Sequence, residues 1–306
     1  MNTVSYAPHI HDNISTSRIM LDVIIALCPA LVASVIIFGP RSAIVIGVCV
    51  GACVFCEWAY EKALKRPNTV NDLSACLTGI LLAFNLPVGI PLWQAVFGSV
   101  VAIILVKQLF GGIGKNFANP AIAARVVMFL TFSTSMTTWE LPPDALSGAT
   151  PLMLMSRAEF ESLPPILWDM IIGTRGGCLG ETSTIAILLG GLYLLFRRII
   201  TWHTPVTFIM TVFVLAAIFG DAPPLYHLFG GGLFLGAFFM ATDYTTTPQT
   251  NLGRIIFGLG CGALTVSIRL YGSYPEGVAF SILFMNMLVP YINRFTLTKP
   301  LGGAKA

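Results

Sequence analysis

GILLAFNLPVGIPLW (residues 79–93) and GAFFMATDYTTTPQT (residues 236–250) are two apolar runs that stop short. Each ends in a polar break punctuated by proline. Each is followed by a glycine-containing apolar run, a glycine turn and a last short apolar run. Short, interrupted segments at matching places in two halves of a chain point to a repeated architecture with a site near the middle of a membrane.

The composition agrees. Of 306 residues, 56% are hydrophobic and 10% charged, against about 25% charged in soluble domains. The mean hydropathy is +0.82. This is more apolar surface than a soluble core of this length can hide, so the class is integral membrane. The net charge of +3 reads as a loop bias of a membrane protein and gives no reason to expect nucleic acid. The stretch 1–17 has no apolar core of a signal peptide, and 19–38 reads as a retained span.

Ten apolar segments can be drawn, at about 19–39, 42–60, 73–88, 92–110, 119–133, 182–197, 203–220, 225–241, 254–271 and 278–293. They are continuous rather than alternating, so they read as helices and not barrel strands. The expected fold is all-α, with about ten transmembrane helices in two inverted five-helix repeats. Residues 1–133 form the first repeat, 134–181 an extracytoplasmic loop and 182–306 the second repeat. Five spans per half is odd, so the second half must be inverted. The positive-inside rule puts both termini in the cytoplasm. Arg18, Lys62, Lys65, Arg66, Lys107, Lys115, Arg197, Arg198, Arg254, Arg294, Lys299 and Lys305 fall inside, and Arg41, Arg157, Arg175 and Arg269 outside.

Few residues offer chemistry. In KQLFGGIGKNFANPAIAARVVMF (107–129), Asn119 and Pro120 read as the N-cap and first residue of a helix. Its free N–H groups suit an anion or a carbonyl edge. Arg125 lies inside a span, where a guanidinium is functional or paired, with Asp243 as a possible partner. MATDYTTTPQT (240–250) gathers Asp243 and Thr246 among other hydroxyls, a ligand set for a hard cation or the polar edge of a ring; helix capping is the plainer alternative. Cys53-x-x-Cys56 lacks a second ligand pair, and the cysteines read as small apolar residues, with Cys178 in the polar loop as the one plausibly reactive thiol. The four histidines are dispersed, the loop carboxylates fix no hydrolase geometry, and no Walker or dinucleotide fingerprint occurs.

DALSGATPLM (144–153) is the polar interruption between the halves, with Gly148 and Ala149 expected to leave the Thr150 hydroxyl accessible. Asp144, Ser147, Gly148, Ala149 and Thr150 match a D-x-x-S-G-A-T flavinylation motif. FGGIGKNFANPAIAAR (110–125) and MATDYTTTP (240–248) resemble further blocks of the same family. That family comprises the RnfD-type subunit of the Rnf ion-translocating electron-transport complex and its counterpart in the sodium-pumping NADH:quinone reductase. The resemblance implies a urea-transporter-like fold in the bacterial cytoplasmic membrane. It implies FMN joined through its phosphate to Thr150 by a flavin transferase, and partners that include a second flavin subunit and iron–sulfur subunits. It also implies a translocase that passes electrons between NADH and ferredoxin and moves Na⁺ or H⁺. The short segment before the first span favours the Rnf branch over the quinone-reductase branch. A non-covalent riboflavin, or an ion, is a further implication, with Asn116, Asn119, Arg125, Asp243 and Thr246 as candidate surroundings. A solute channel of the same fold and a structural anchor are the readings from other classes. No metal site is expected. The orientation is checked by reporter fusions: a phosphatase fused after Asp144 is expected to be active, and one fused after Arg66 inactive.

Overall fold

The computed structural model describes residues 15–141, 146–147, 150–156, 166–173, 176–181, 183–272 and 276–297. Apart from a pair of two-residue strands, β1 (Glu140–Leu141) and β2 (Leu146–Ser147), its regular elements are helical. Four helices are long and apolar enough to cross a membrane: α1 (Thr16–Phe38), α2 (Pro40–Ala63), α13 (Asn251–Tyr271) and α14 (Val278–Thr296). Shorter apolar helices are α3 (Ser74–Phe84), α4 (Leu92–Val100), α5 (Pro120–Thr131), α9 (Thr184–Phe196) and α10 (His203–Phe219). Short helices α6 (Ser133–Thr137), α7 (Pro151–Ser156) and α8 (Ile166–Ile172) lie between α5 and α9. Between α10 and α13 lie α11 (Pro224–Phe229) and α12 (Leu233–Leu235). Each apolar segment expected from the sequence falls on helix. The one at about 225–241 is two pieces, because Gly230 to Gly232 interrupt it and Gly231 takes φ +69°.

Two helices loosen into π-helix before they end, α4 through Val101–Gln108 and α12 through Gly236–Met240. The carbonyls of Ile104 and Gly236 accept from amides five residues on, those of Leu109 and Ala241. Starts are set locally. Asn119 caps α5 as expected, its Oδ1 accepting from the N–H groups of Ala121 and Ile122, with Pro120 in the first turn. Ser183 and Thr250 cap α9 and α13 in the same way.

Packing joins the two ends of the sequence. α1 lies along α9, α2 along α3 and α4, α10 along α13, and α5 against both α4 and α14. Small residues allow the approach. At Gly190 of α9 a Cβ would stand 2.1 Å from the Ala26 carbonyl oxygen of α1. The core runs through both halves, from Leu27 and Ala30 through Leu82 and Phe84 to Phe208, Phe257 and Ile282. Large apolar side chains also cover the outside, among them Ile36, Leu130, Phe196 and Phe295. Water would not leave them exposed, but lipid does.

Residues 176–181 return from the polar loop and plug the gap beneath α3. The Leu179 N–H donates to the Leu86 carbonyl at 3.0 Å, Cys178 pairs with Pro87, and Leu179–Glu181 form one 3₁₀ turn. Gly180 makes this possible. A Cβ there would lie 2.6 Å from Phe84 Cβ, 2.8 Å from the Phe84 carbonyl oxygen and 2.7 Å from a Leu235 methyl. Backbone cannot yield as a side-chain tip can. Gly180→Ala is therefore expected to destabilise the protein by about 1–3 kcal/mol, read as a lower unfolding midpoint in detergent.

Candidate functional site

α3 ends at Phe84, and the chain then runs through Asn85-Leu86-Pro87. Ending a helix here frees carbonyls in apolar surroundings. The Arg125 guanidinium enters from α5 and meets the break. Its Nη1 donates to the Asn85 carbonyl at 2.7 Å and to Asn85 Oδ1 at 3.0 Å, and lies 3.0 Å from Cys178 Sγ. Its Nη2 is paired with Glu276. Arg125 is thus buried and paired, as expected of an arginine in a span, but its partner is Glu276 and not Asp243.

Asn85, Arg125, Glu181, Arg269 and Glu276 line one cavity, with Phe129, Met240 and Phe280 on its apolar side. Arg269, counted as an outer-loop charge from the sequence, is instead buried at 6% exposure. It donates to the carbonyls of His227 and Gly230, where α11 ends. Its Nε and both ring nitrogens of His227 have no hydrogen-bond partner among the described residues. A carboxylate oxygen from each of Glu181 and Glu276 and the Cys178 sulfur all lie within 4.8 Å of one another. Burial pushes the Glu181 carboxyl up, Glu276 adds to this, and Arg125 opposes it. Burial likewise pushes the Cys178 thiol up. Cys178 is 1% exposed and is no ready nucleophile, contrary to the sequence expectation of a reactive loop thiol.

A second polar group forms around the break after Met240. The Asn119 amide donates to the Met240 carbonyl at 3.4 Å. Asn286 of α14 donates to the Thr246 carbonyl at 3.1 Å and accepts from the Asn119 N–H at 3.2 Å. The hydroxyls of Thr245 and Thr246 donate to Asp243 Oδ2 at 2.8 and 3.2 Å. Burial pushes the Asp243 carboxyl up against these bonds. Asn119 and Asp243 line one cavity, with Thr242, Tyr244, Phe238 and Phe239. Of the expected set, Asn119, Asp243 and Thr246 are therefore brought together, whereas Arg125 faces the other cavity. The buried Oδ1 of Asn116 has no partner among the described residues, and Asn116 lines neither cavity.

A third group was not legible as a group. Glu57 of α2 accepts from Lys107 at 2.7 Å and Gln108 at 2.9 Å, and the Lys107 ammonium also reaches Ser74 at 2.6 Å. Lys107, read from the sequence as an inside-loop charge, is 2% exposed and its partner 0%. An acid within the apolar run 42–60 was the available signal. Glu276 sits in a short polar stretch between two apolar runs, and nothing local marks Glu181.

Thr150 precedes Pro151 and caps α7, its Oγ1 accepting from the Met153 N–H at 3.3 Å. It is 7% exposed, not accessible as the Gly-Ala setting suggested. Leu152 and Met155 of α7 pack with Met170, Ala222 and Tyr226. Leu152 also presses on Gly230 and Gly231, beside the Arg269 guanidinium. Ser147 is in β2, opposite Glu140. Asp144, Gly148 and Ala149 lie outside the described residues.

The model of the NQR2, RnfD, RnfE family matches residues 3–302. The chain is 47% identical to the D-type subunit of the Na⁺-translocating ferredoxin:NAD⁺ oxidoreductase complex of Acetobacterium woodii, over 99% of this chain and 96% of that protein. It is 43% identical to the D-type subunit of the proton-translocating ferredoxin:NAD⁺ oxidoreductase complex of Clostridium ljungdahlii, over 98% and 96%. It is 36% identical to the D-type subunit of the ion-translocating oxidoreductase complex of Yersinia enterocolitica, over 98% of each.

Two jobs are superposed on Arg125, and they separate experimentally. Arg125→Met leaves Glu276 unpaired and the Asn85 carbonyl without its charged donor, at an expected cost of about 3–5 kcal/mol. Adding Glu276→Leu removes the stranded charge, so the double variant should recover part of the loss. It should not recover all of it, because the Asn85 carbonyl has lost its charged donor and keeps only the weaker Cys178 thiol at 3.4 Å. Chemical unfolding of the three variants in the same detergent measures the difference.

Proposed function

The chain belongs to the NQR2, RnfD, RnfE family, and from that premise we propose how it works within an Rnf-type complex. It is a membrane subunit of an ion-translocating oxidoreductase acting between ferredoxin and NAD⁺, like the D-type subunits it matches along nearly their whole length. Its part is to carry electrons through FMN esterified to Thr150, coupled to movement of Na⁺ or H⁺. Its partners are the other subunits, including a second flavin subunit and iron–sulfur subunits, with a flavin transferase acting in maturation. It sits in the bacterial cytoplasmic membrane with both termini inside and Thr150 outside. The chain folds as two inverted five-helix repeats on a urea-transporter-like plan. The pairing of α2 with α4 and of α10 with α13 supports this, as does the contact of α1 with α9.

The flavin reading is carried by the motif Asp144 to Thr150, which ends on a buried residue that caps α7. The residues fit such a group. Leu152 brings α7 onto the Gly230–Gly231 turn, where Cβ atoms would clash, and the unpartnered Arg269 Nε lies next to it. When bound, the FMN supplies the redox chemistry. This chain's residues hold its attachment point and exclude water with Leu152, Met155, Met170 and Tyr226. The buried guanidiniums of Arg125 and Arg269 favour negative charge nearby. Since Thr150 is buried, a transferase reaches its hydroxyl only when α7 is lifted from α11. Asn119, Asp243 and Thr246 are the part of the inner group suited to a second flavin or an ion.

Thr150→Ala decides the attachment. The hydroxyl is the atom to be esterified, so the variant should lack the added mass of one FMN less water and should stop electron transfer through the complex. It also loses the cap of α7, which costs about 0.5–2 kcal/mol, so the protein should remain folded and inserted. Intact-mass measurement checks this, and an unchanged added mass would move the attachment site elsewhere. Ser147→Ala should keep the ester, and Asp144→Ala should lower the fraction modified.

A further inference from the structure

Glu181 stands between two cavities. It lines the inner one with Arg125, Arg269 and Glu276, and a second one with Asp169, Gly173, Gly176 and Gly177. Its carboxylate is held where glycines leave room. A Cβ at Gly177 would be 2.7 Å from Oε2, and one at Gly232 would be 3.7 Å from Oε1. Within 4.8 Å of it are a carboxylate oxygen of Glu276 and the sulfur of Cys178.

We propose that Glu181 and Glu276 form a proton-exchanging carboxyl pair, holding one proton between them at the junction of the two cavities. Two ionised carboxylates this close in a water-poor cavity repel strongly, and sharing one proton relieves the repulsion. Arg125 decides where the proton sits. Its Nη2 is bonded to Glu276 and leaves Glu181 without a guanidinium of its own, so Glu181 is the member that takes the proton. A metal ion is the poorer occupant. The Arg125 guanidinium already lies on Glu276 and 3.0 Å from Cys178 Sγ, so a second cation would be placed against it.

Among the described residues, the charged and titratable groups around Glu181 are Arg125 of α5, Cys178 of its own turn, Arg269 of α13, Glu276 ahead of α14, and Asp169 of α8 across the second cavity. Arg269 is tied by carbonyls to α11 and does not bind Glu276 as Arg125 does. The proton reaches Glu181 from the second cavity, where Gly173, Gly176 and Gly177 are among the lining residues. Its loss adds one negative charge between the guanidiniums of Arg125 and Arg269. The inference stands whether or not Thr150 bears a flavin.

Infrared difference spectra of the full chain in lipid nanodiscs, stepped from about pH 5 to about pH 9, test it. Wild type should show a protonated-carboxyl stretch, shifted in D₂O, that titrates as one group. Glu181→Gln should abolish it. Glu276→Gln should move its midpoint to lower pH, because the repelling neighbour is gone while both arginines remain. Gly177→Ala should shift its frequency, since the new Cβ displaces the carboxylate without removing any charge. A band unchanged in Glu181→Gln, or an unmoved midpoint in Glu276→Gln, would overturn the proposal. So would a stoichiometric metal ion that is retained by purified wild type and lost in Glu181→Gln. Should Glu181→Gln fail to fold, the Glu276→Gln midpoint and the Gly177→Ala frequency decide.

Discussion

Helix α3 stops at Phe84, and the backbone carbonyls of the broken stretch behind it take donors from elsewhere in the protein. Arg125 takes the Asn85 carbonyl, the Leu179 N–H takes that of Leu86, and Arg41 reaches those of Val88, Gly89 and Ile90 at 3.0, 3.4 and 3.4 Å. These donors come from α5, from the end of the polar loop and from the start of α2. One broken helix therefore ties together segments far apart in sequence. The break after Met240 is met in the same way by Asn119 from α5, with Asn286 from α14 bridging Asn119 to Thr246.

Charge follows from this. A guanidinium used as a carbonyl donor carries its charge into a low-dielectric interior, and that charge needs a counter-ion. Glu276 supplies it for Arg125. Arg269, spent on the carbonyls of His227 and Gly230, lines the same cavity as Glu181 and Glu276. The polar centre thus holds two guanidiniums and two carboxylates at a place where both helix breaks converge.

Glu57 and Lys107 form a different kind of pair. They are almost fully buried on α2 and at the end of α4, apart from either break. Lys107 lies in the π-helical stretch, where the wider turn redirects side chains. Gln108 is buried beside it and shares the same carboxylate. The loosening of α4 therefore serves two polar side chains in succession, which a regular helix would turn about 100° apart.

The sequence by itself determined the class, the positions of the helices and the family. Apolar runs, proline and asparagine starts and the broken repeats are local, and local signals act through nearest neighbours along the chain. Thr150, Arg125 and Asp243 stood out because each breaks an apolar or patterned context. Tertiary structure alone decided the partners. Arg125 pairs with Glu276 rather than Asp243, Cys178 and Thr150 are buried rather than accessible, and Lys107 and Arg269 are interior rather than loop charges. In each case a long side chain, or a loop folding back, meets a group far away along the chain. Spacing in the sequence does not encode that approach, because only the packing of α5, α13 and residues 176–181 around the two breaks brings those atoms within reach.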